Sequence, residues 1–376
     1  MDVLDISLSV LEWAASQVGK SFNDLASEVA TGKGIDRVLE GKLTVRQLEK
    51  VASLTHTPFG FLFLQAPPSL EKPRLPDMRQ VASPDPLGPD FFEVLEDVLE
   101  KQAWYIDYLK DIGADELSFV GKYSPSAKVE EVARDIAKVA GIDTSLKKRC
   151  SNPEEYFRAL AERFESIGIL VFKNGVVKNS SKRGLSVSEF RGFAICDSMA
   201  PAVFINGKDS EAAWIFTLAH EIAHIWIGES GVSDIPSPKD FREADKIEKF
   251  CNAVAAELLV PQDEFLALVA RDGILSIDQA SRVFRVSRLV VGRRAFEMGF
   301  ISREEYGSLY AKSYKQAGSG GNPYATIPVR NSKKVTSAIV KSTMEGTTLI
   351  RDAARLLNVT PETIVNIYKK NIRAHA

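Results

Sequence analysis

The sequence predicts an α+β fold, predominantly α, and three observations predict it. Apolar residues recur at helical spacing along most of the chain, three short apolar runs between residues 169 and 206 have strand character, and a strongly apolar helical stretch follows them. The expected centre is a small mixed sheet and one buried helix, flanked by helical units. At 376 residues the chain exceeds the ~100–200 residues of one domain, so two to four units are expected. Hydrophobic residues at 45% and charged residues at 26% are ordinary globular composition rather than disordered, fibrous or membrane-type.

The sequence divides into residues 1–66, a compact helical unit; 67–150, a proline-rich connector and helical bridge; 151–270, which holds the sheet and the buried helix; and 271–376, a helical region with a basic tail. The first unit has turns at Thr31-Gly32-Lys33-Gly34 and Glu40-Gly41-Lys42. Proline recurs from Ala66-Pro67-Pro68 to Gly88-Pro89, which marks an extended connector. Helices are expected over Phe91 to Ile112, Lys128 to Ala140 and Pro153 to Ile167, followed by strands at Ile169 to Phe172, Phe190 to Cys196 and Ala202 to Asn206. The next helix should start at the capping pair Asp209-Ser210 and end at Gly228, and a further one should run from about Arg242 to Leu259, before Pro261. Ala317 to Gly321 is glycine-rich and reads as a flexible joint.

The buried helix carries His220-Glu221-Ile222-Ala223-His224. Residues four apart on a helix are separated by about 400°, so both imidazoles leave nearly one face and can reach a single ion. Glu221 lies about 100° around from His220, which sets its carboxylate beside the metal as a general base. Trp214, Phe216, Leu218, Ile222, Ile225, Trp226 and Ile227 bury this helix, where two unpaired imidazoles would be costly and metal ligation removes that cost. Catalytic zinc takes three protein ligands, so a third is expected downstream, where Glu248 and Glu257 are offered. They are nine positions apart, about 900° or half a turn out of phase, and point to opposite sides. Asn252 shares the Glu248 face and gives it a polar stripe, so Glu248 is the preferred ligand; Cys251 is a weaker alternative, and Asn252 either takes a catalytic role or orients the neighbouring loop by a hydrogen bond. The chemistry implied is Zn2+-dependent peptide hydrolysis with Glu221 as base and His220, His224 and Glu248 as ligands. An extended substrate is expected to pair along Ala202 to Asn206 as an edge strand. The other histidines, His56 and His375, lie at the two ends of the chain, so the oxyanion is left to a tyrosine or arginine.

Phe216 to His224, the later Glu248-x-x-Cys251-Asn252-x-Val254-Ala255-Ala256-Glu257-Leu258-Leu259-Val260-Pro261 and the upstream Phe190-Arg191-Gly192-Phe193 resemble the ImmA/IrrE metallo-endopeptidases. The resemblance spans about Ile169 to Pro261. It implies a zincin-like core with a gluzincin-like zinc site, a bacterial setting, a repressor-type regulator as substrate, and Glu248 as third ligand. Cys251 and Val254 depart from the family's more usual alanine and phenylalanine without touching the ligands.

Phe22 to Ala26, Ile35 to Lys42 and Val45 to Ala52 are similar to the helix-turn-helix of phage-repressor-like (XRE-type) proteins. Residues 1–66 carry six cations against eight acids, a weak footprint for DNA, so protein docking or a homodimer is expected there more than DNA contact. The competing function is an antitoxin-like regulatory binding protein of a toxin-antitoxin locus, acting by sequestration or DNA binding. Residues 312–376 hold eleven cations against three acids, and Thr347 to Leu357, Asn358 to Thr360 and Pro361 to Ile372 read as helix, turn, helix. That unit is expected to contact an acidic protein or nucleic acid. Met1 to Lys20 contains Asp2, Asp5 and Glu12 and lacks the pattern of a secretory signal, no run reaches ~18 apolar residues, and Cys150, Cys196 and Cys251 lack disulfide or metal spacing. A cytoplasmic protein without a membrane partner is expected.

Overall fold

Short helices bounded by glycines, prolines and serine caps make up most of the chain. The computed structural model describes residues 3–55, 57, 59–68, 87–233, 246–272, 276–312 and 323–375. The chain divides into two compact units, the first built from the N-terminal elements and the second from Val94 onward.

The first unit comprises β1 (Val3–Asp5), α1 (Leu8–Gln17), α2 (Phe22–Val29), α3 (Lys33–Leu39), β2 (Lys42–Thr44), α4 (Val45–Thr55) and a 3-10 helix at Phe59–Phe63. Val10, Leu11, Leu25, Val38, Leu48 and Val51 close its core. The β1–β2 antiparallel pair, with Leu4 opposite Leu43, was not expected: three-residue strands carry almost no periodicity, and their pairing is non-local. Gly41 permits it, with φ +78° and no room for a Cβ, which would lie 2.5 Å from the Ile6 carbonyl oxygen.

The second unit begins within α5 (Pro89–Asp111) and continues through α6 (Val129–Ala140), α7 (Thr144–Lys148), α8 (Pro153–Ser166), β3 (Leu170–Asn174), β4 (Gly192–Ile195), β5 (Ala202–Asn206), α9 (Glu211–Ile227), β6 (Gly231–Ser233) and α10 (Lys246–Leu259). After these come α11 (Gln262–Asp272), α12 (Ile277–Phe284), α13 (Arg288–Glu297), α14 (Arg303–Lys312), α15 (Pro323–Arg330), α16 (Lys333–Met344), α17 (Ile350–Leu356) and α18 (Pro361–His375). The helices expected from spacing are present with ends shifted by a few residues. The glycine-rich joint, His56, most of the proline connector and the loop containing Pro236 and Pro238 lie outside the described residues. No helix among the described residues is long and apolar enough to cross a membrane.

The sheet runs β3-β5-β4-β6, with β3 and β5 parallel and the other pairings antiparallel. This corrects the expectation for Ala202 to Asn206. The strand is central, paired on both sides and buried at all five residues, so it offers no open edge to a substrate. Its uniformly apolar run marks a strand covered on both faces rather than an edge.

The C-terminal helices are docked on the same unit by polar contacts. Asn179 donates to the Leu357 and Asn358 carbonyls at 3.4 and 2.5 Å, Asn358 Nδ2 donates to Asp97 at 2.7 Å, and Ser332 Oγ donates to buried Glu165 at 2.5 Å. Ion pairs Lys333–Glu162 at 2.6 Å and Arg355–Glu100 at 2.7 Å lie at its margins.

Candidate metal centre

α9 positions the two histidines. Ser210 caps its N-terminus, accepting from the Ala213 amide at 3.3 Å, and Gly228 ends it in the left-handed region at φ +73°. Every residue from Trp214 to Ile227 is buried, as a helix apolar all round requires. α6, α8 and α10 pack on it from the helical side, and β4 and β5 from the sheet.

His220 Nε2 and His224 Nε2 lie 3.1 Å apart, and the Glu248 carboxylate closes the triangle, 3.0 Å from His224 Nε2 and 3.2 Å from His220 Nε2. His220, His224 and Glu248 are 3%, 0% and 0% exposed, so the cluster is dry. His224 Nδ1 lies 3.1 Å from the Glu229 carbonyl oxygen. Donating there leaves the Nε2 lone pair directed into the cluster, the tautomer a metal ligand needs. Burial pushes the His220 imidazole below its ordinary value, and the Arg293 charge acts in the same sense. Burial alone would raise the Glu248 carboxyl, but the two imidazoles outweigh it and hold it at about 2. At neutral pH His220 therefore offers a neutral nitrogen and Glu248 a carboxylate, beside the His224 Nε2 that the Glu229 contact turns toward them. Converging acceptors in a water-poor pocket are what a cation satisfies, and this group can hold a metal ion.

The structure brings His220, His224 and Glu248 into one buried cluster, leaves Glu221 buried on the same helix, and sets Glu257 aside. Glu257 pairs with Arg294 at 2.7 Å and accepts from the Gln262 amide at 3.2 Å, while Arg294 Nε donates to the Val260 carbonyl at 3.0 Å. The carboxylate that points away from the metal pins α13 to the end of α10. Cys251 is buried, and burial raises its thiol well above the usual range, which disfavours the thiolate a ligand requires. Asn252 shares the buried Glu248 face, and neither of its amide atoms has a hydrogen-bond partner among the described residues. The loop it was expected to orient lies outside them.

Two participants were not named from sequence. Gly192 on β4 lies against Glu221: a Cβ added there would be 2.8 Å from Glu221 Oε1. Its place in Phe190-Arg191-Gly192-Phe193, a glycine inside a strand run, was the available signal for a close approach. Arg293, 5% exposed on α13, influences His220 although it lies 73 positions later; nothing local in the sequence marks it.

A small mixed sheet, a helix with two histidines one turn apart and a glutamate from the next helix bring together a donor group that could hold a metal ion, the kind metallopeptidases use. Residues 153–296 match the family model described as the IrrE N-terminal-like domain, a peptidase family, and this supports the ImmA/IrrE resemblance over that segment. Residues 331–370 match a family model described as a domain of unknown function. No curated protein and no solved structure matches the chain.

Proposed function

We propose that the protein is a zinc-dependent endopeptidase that cleaves a repressor-type regulatory protein, with Glu221 as general base. The observation that carries this reading is the buried triangle of His220 Nε2, His224 Nε2 and the Glu248 carboxylate, with the next carboxylate in sequence, Glu221, buried at its side. Two imidazoles and one carboxylate are the donor set of zinc hydrolases that keep a position open for water. When bound, zinc supplies Lewis-acid polarisation of the scissile carbonyl and a more acidic water. Glu221 takes the proton from the attacking water and passes it to the leaving amine. His224, oriented by the Glu229 carbonyl, and Glu248, held as a carboxylate, fix the ligand geometry.

Of the outer strands among the described residues, β3 packs against α15 and α16, whereas β6 follows directly on α9 and Glu229. β6 is therefore the edge to which an extended substrate would add. The test is co-incubation of the zinc-loaded protein with the product of the adjacent gene. Glu221→Gln should retain the metal and abolish cleavage, and cleavage that persists in this variant removes Glu221 from the mechanism.

A further inference from the structure

The C-terminal helices carry a surface that the peptidase reading does not use. α17 and α18 pack on α16 and on each other through Ile339, Ala353, Leu356, Leu357, Ile364 and Ile367, all buried. The connection between them is four residues long, Leu357 to Thr360, and Asn358 takes the left-handed region at φ +53°, a conformation asparagine tolerates better than most residues. The Val359 amide closes the turn on the Ala354 carbonyl at 2.9 Å, and Pro361 opens α18. A first helix with one buried face, a tight turn and a longer second helix with one apolar face form a helix-turn-helix, the arrangement that presents its second helix to the major groove of DNA.

The outward face of α18 has the chemistry for that role. Glu362, Lys369 and Lys370 are exposed and Asn366 is half-buried between them. Asparagine pairs with adenine, lysine with guanine or phosphate, and a carboxylate accepts from cytosine. Residues 331–370 carry seven cations against three acids. Three of the cations are spent on docking: Lys333 on Glu162, Lys334 on the Glu165 carbonyl and Arg355 on Glu100. Lys341 and Arg351 are 64% and 81% exposed and lie 3.9 and 3.6 Å from Glu345 and Asp352, and Lys369 and Lys370 form no ion pair among the described residues. The turn itself is held by Asn179 and Asp97, so the second helix stands on a rigid base. The N-terminal unit lacks these features: its α3 is seven residues long and balances Lys33 and Arg37 with Asp36 and the following Glu40.

We propose that residues 331–370 bind double-stranded DNA, with α18 as the helix that enters the major groove. The phosphate contacts come from Lys369 and Lys370, and base reading centres on Asn366.

The test uses the full chain and a labelled random-sequence duplex about two helical turns long, ~20 bp, with selection of bound sequences. The full chain should bind, with affinity falling linearly in log salt. Lys369→Ala combined with Lys370→Ala should lower the salt slope by about two, since each lysine neutralises one phosphate. Asn366→Ala should reduce preference for the selected sequence by about tenfold while leaving binding to random duplex in place. Zinc content should be unchanged in all three, which separates this result from any failure of the metal site. Lys33→Ala with Arg37→Ala should bind as the parent does. The proposal is overturned if the full chain holds no duplex at about 50 mM salt. It is equally overturned if the Lys369/Lys370 variant keeps its affinity and slope, if the Lys33/Arg37 variant is the one that loses them, or if a poly-glutamate peptide binds more tightly than the duplex.

Discussion

Replacing Gly192 by alanine tests how closely the sheet is packed on the metal helix. The new methyl carbon would lie 2.6 Å from Thr217 Cγ2, 2.8 Å from Glu221 Oε1 and 2.9 Å from the Phe204 carbonyl oxygen. None of these neighbours can retreat cheaply. Phe204 contributes backbone from the central strand, and Thr217 and Glu221 are 4% and 0% exposed on a helix buried on every side. Overpacking of this kind costs about 1–3 kcal/mol. At roughly 2–4 °C per kcal/mol for a domain of this order, the melting temperature should fall by between about 2 and 12 °C. The three nearest atoms belong to Thr217, Glu221 and Phe204 rather than to His220 or His224, so bound metal should be retained, whereas displacement of the Glu221 carboxylate should depress cleavage. Thermal unfolding followed by circular dichroism, with metal content by mass spectrometry on the same sample, reads both effects. A Gly192→Ala protein as stable and as active as the parent would show that β4 does not press on α9 at this point, and the site geometry would have to be redrawn.

Glu257→Ala should cost about 3 kcal/mol, the lower end for breaking a buried pair, because it leaves the buried Arg294 guanidinium only Glu297 at 3.8 Å, yet should leave the metal in place; denaturant titration beside metal analysis checks both halves, and loss of metal would contradict the assignment. Lys173 sets a pH dependence: burial lowers its ammonium to about 8, with Nζ 3.6 Å over the Trp214 ring. The unfolded chain keeps that proton up to about 10.4, so stability should rise between about pH 8 and 10.4, by at most about 3 kcal/mol and less where the ring favours the cation. Lys173→Met should flatten that limb in chemical denaturation at the two pH values; a limb that survives the substitution belongs to another group.

The metal helix was legible because its signals are local. Ser210 and Gly228 bound it, the apolar run sets its burial, and the four-residue histidine spacing sets a common face. Helical phase put Glu248 and Glu257 on opposite sides and the polar Asn252 beside Glu248 chose between them; Glu257 faces Arg294. Strand order was not legible. Ala202 to Asn206 has the composition of a buried strand, but its central place depends on the parallel partner β3, whose Leu170 pairs with Ala202 across 32 positions, and the strand's own pattern does not name that partner. The same limit hid the β1–β2 pair and the docking of Ser332 on Glu165, where one hydroxyl meets a carboxylate 167 positions distant. The basic C-terminal tail was visible as charge, but the share of it spent on Glu162, Glu165 and Glu100 was not.

The central claim is that His220, His224 and Glu248 form one metal site, and bound zinc per chain measures it most directly. The parent protein and the Glu257→Ala variant should each hold about one equivalent after zinc loading and removal of excess. His220→Ala, His224→Ala and Glu248→Ala should each fall well below that, because each removes one of three ligands. Full zinc retention by all three ligand variants, or loss in Glu257→Ala with retention in Glu248→Ala, would contradict the site.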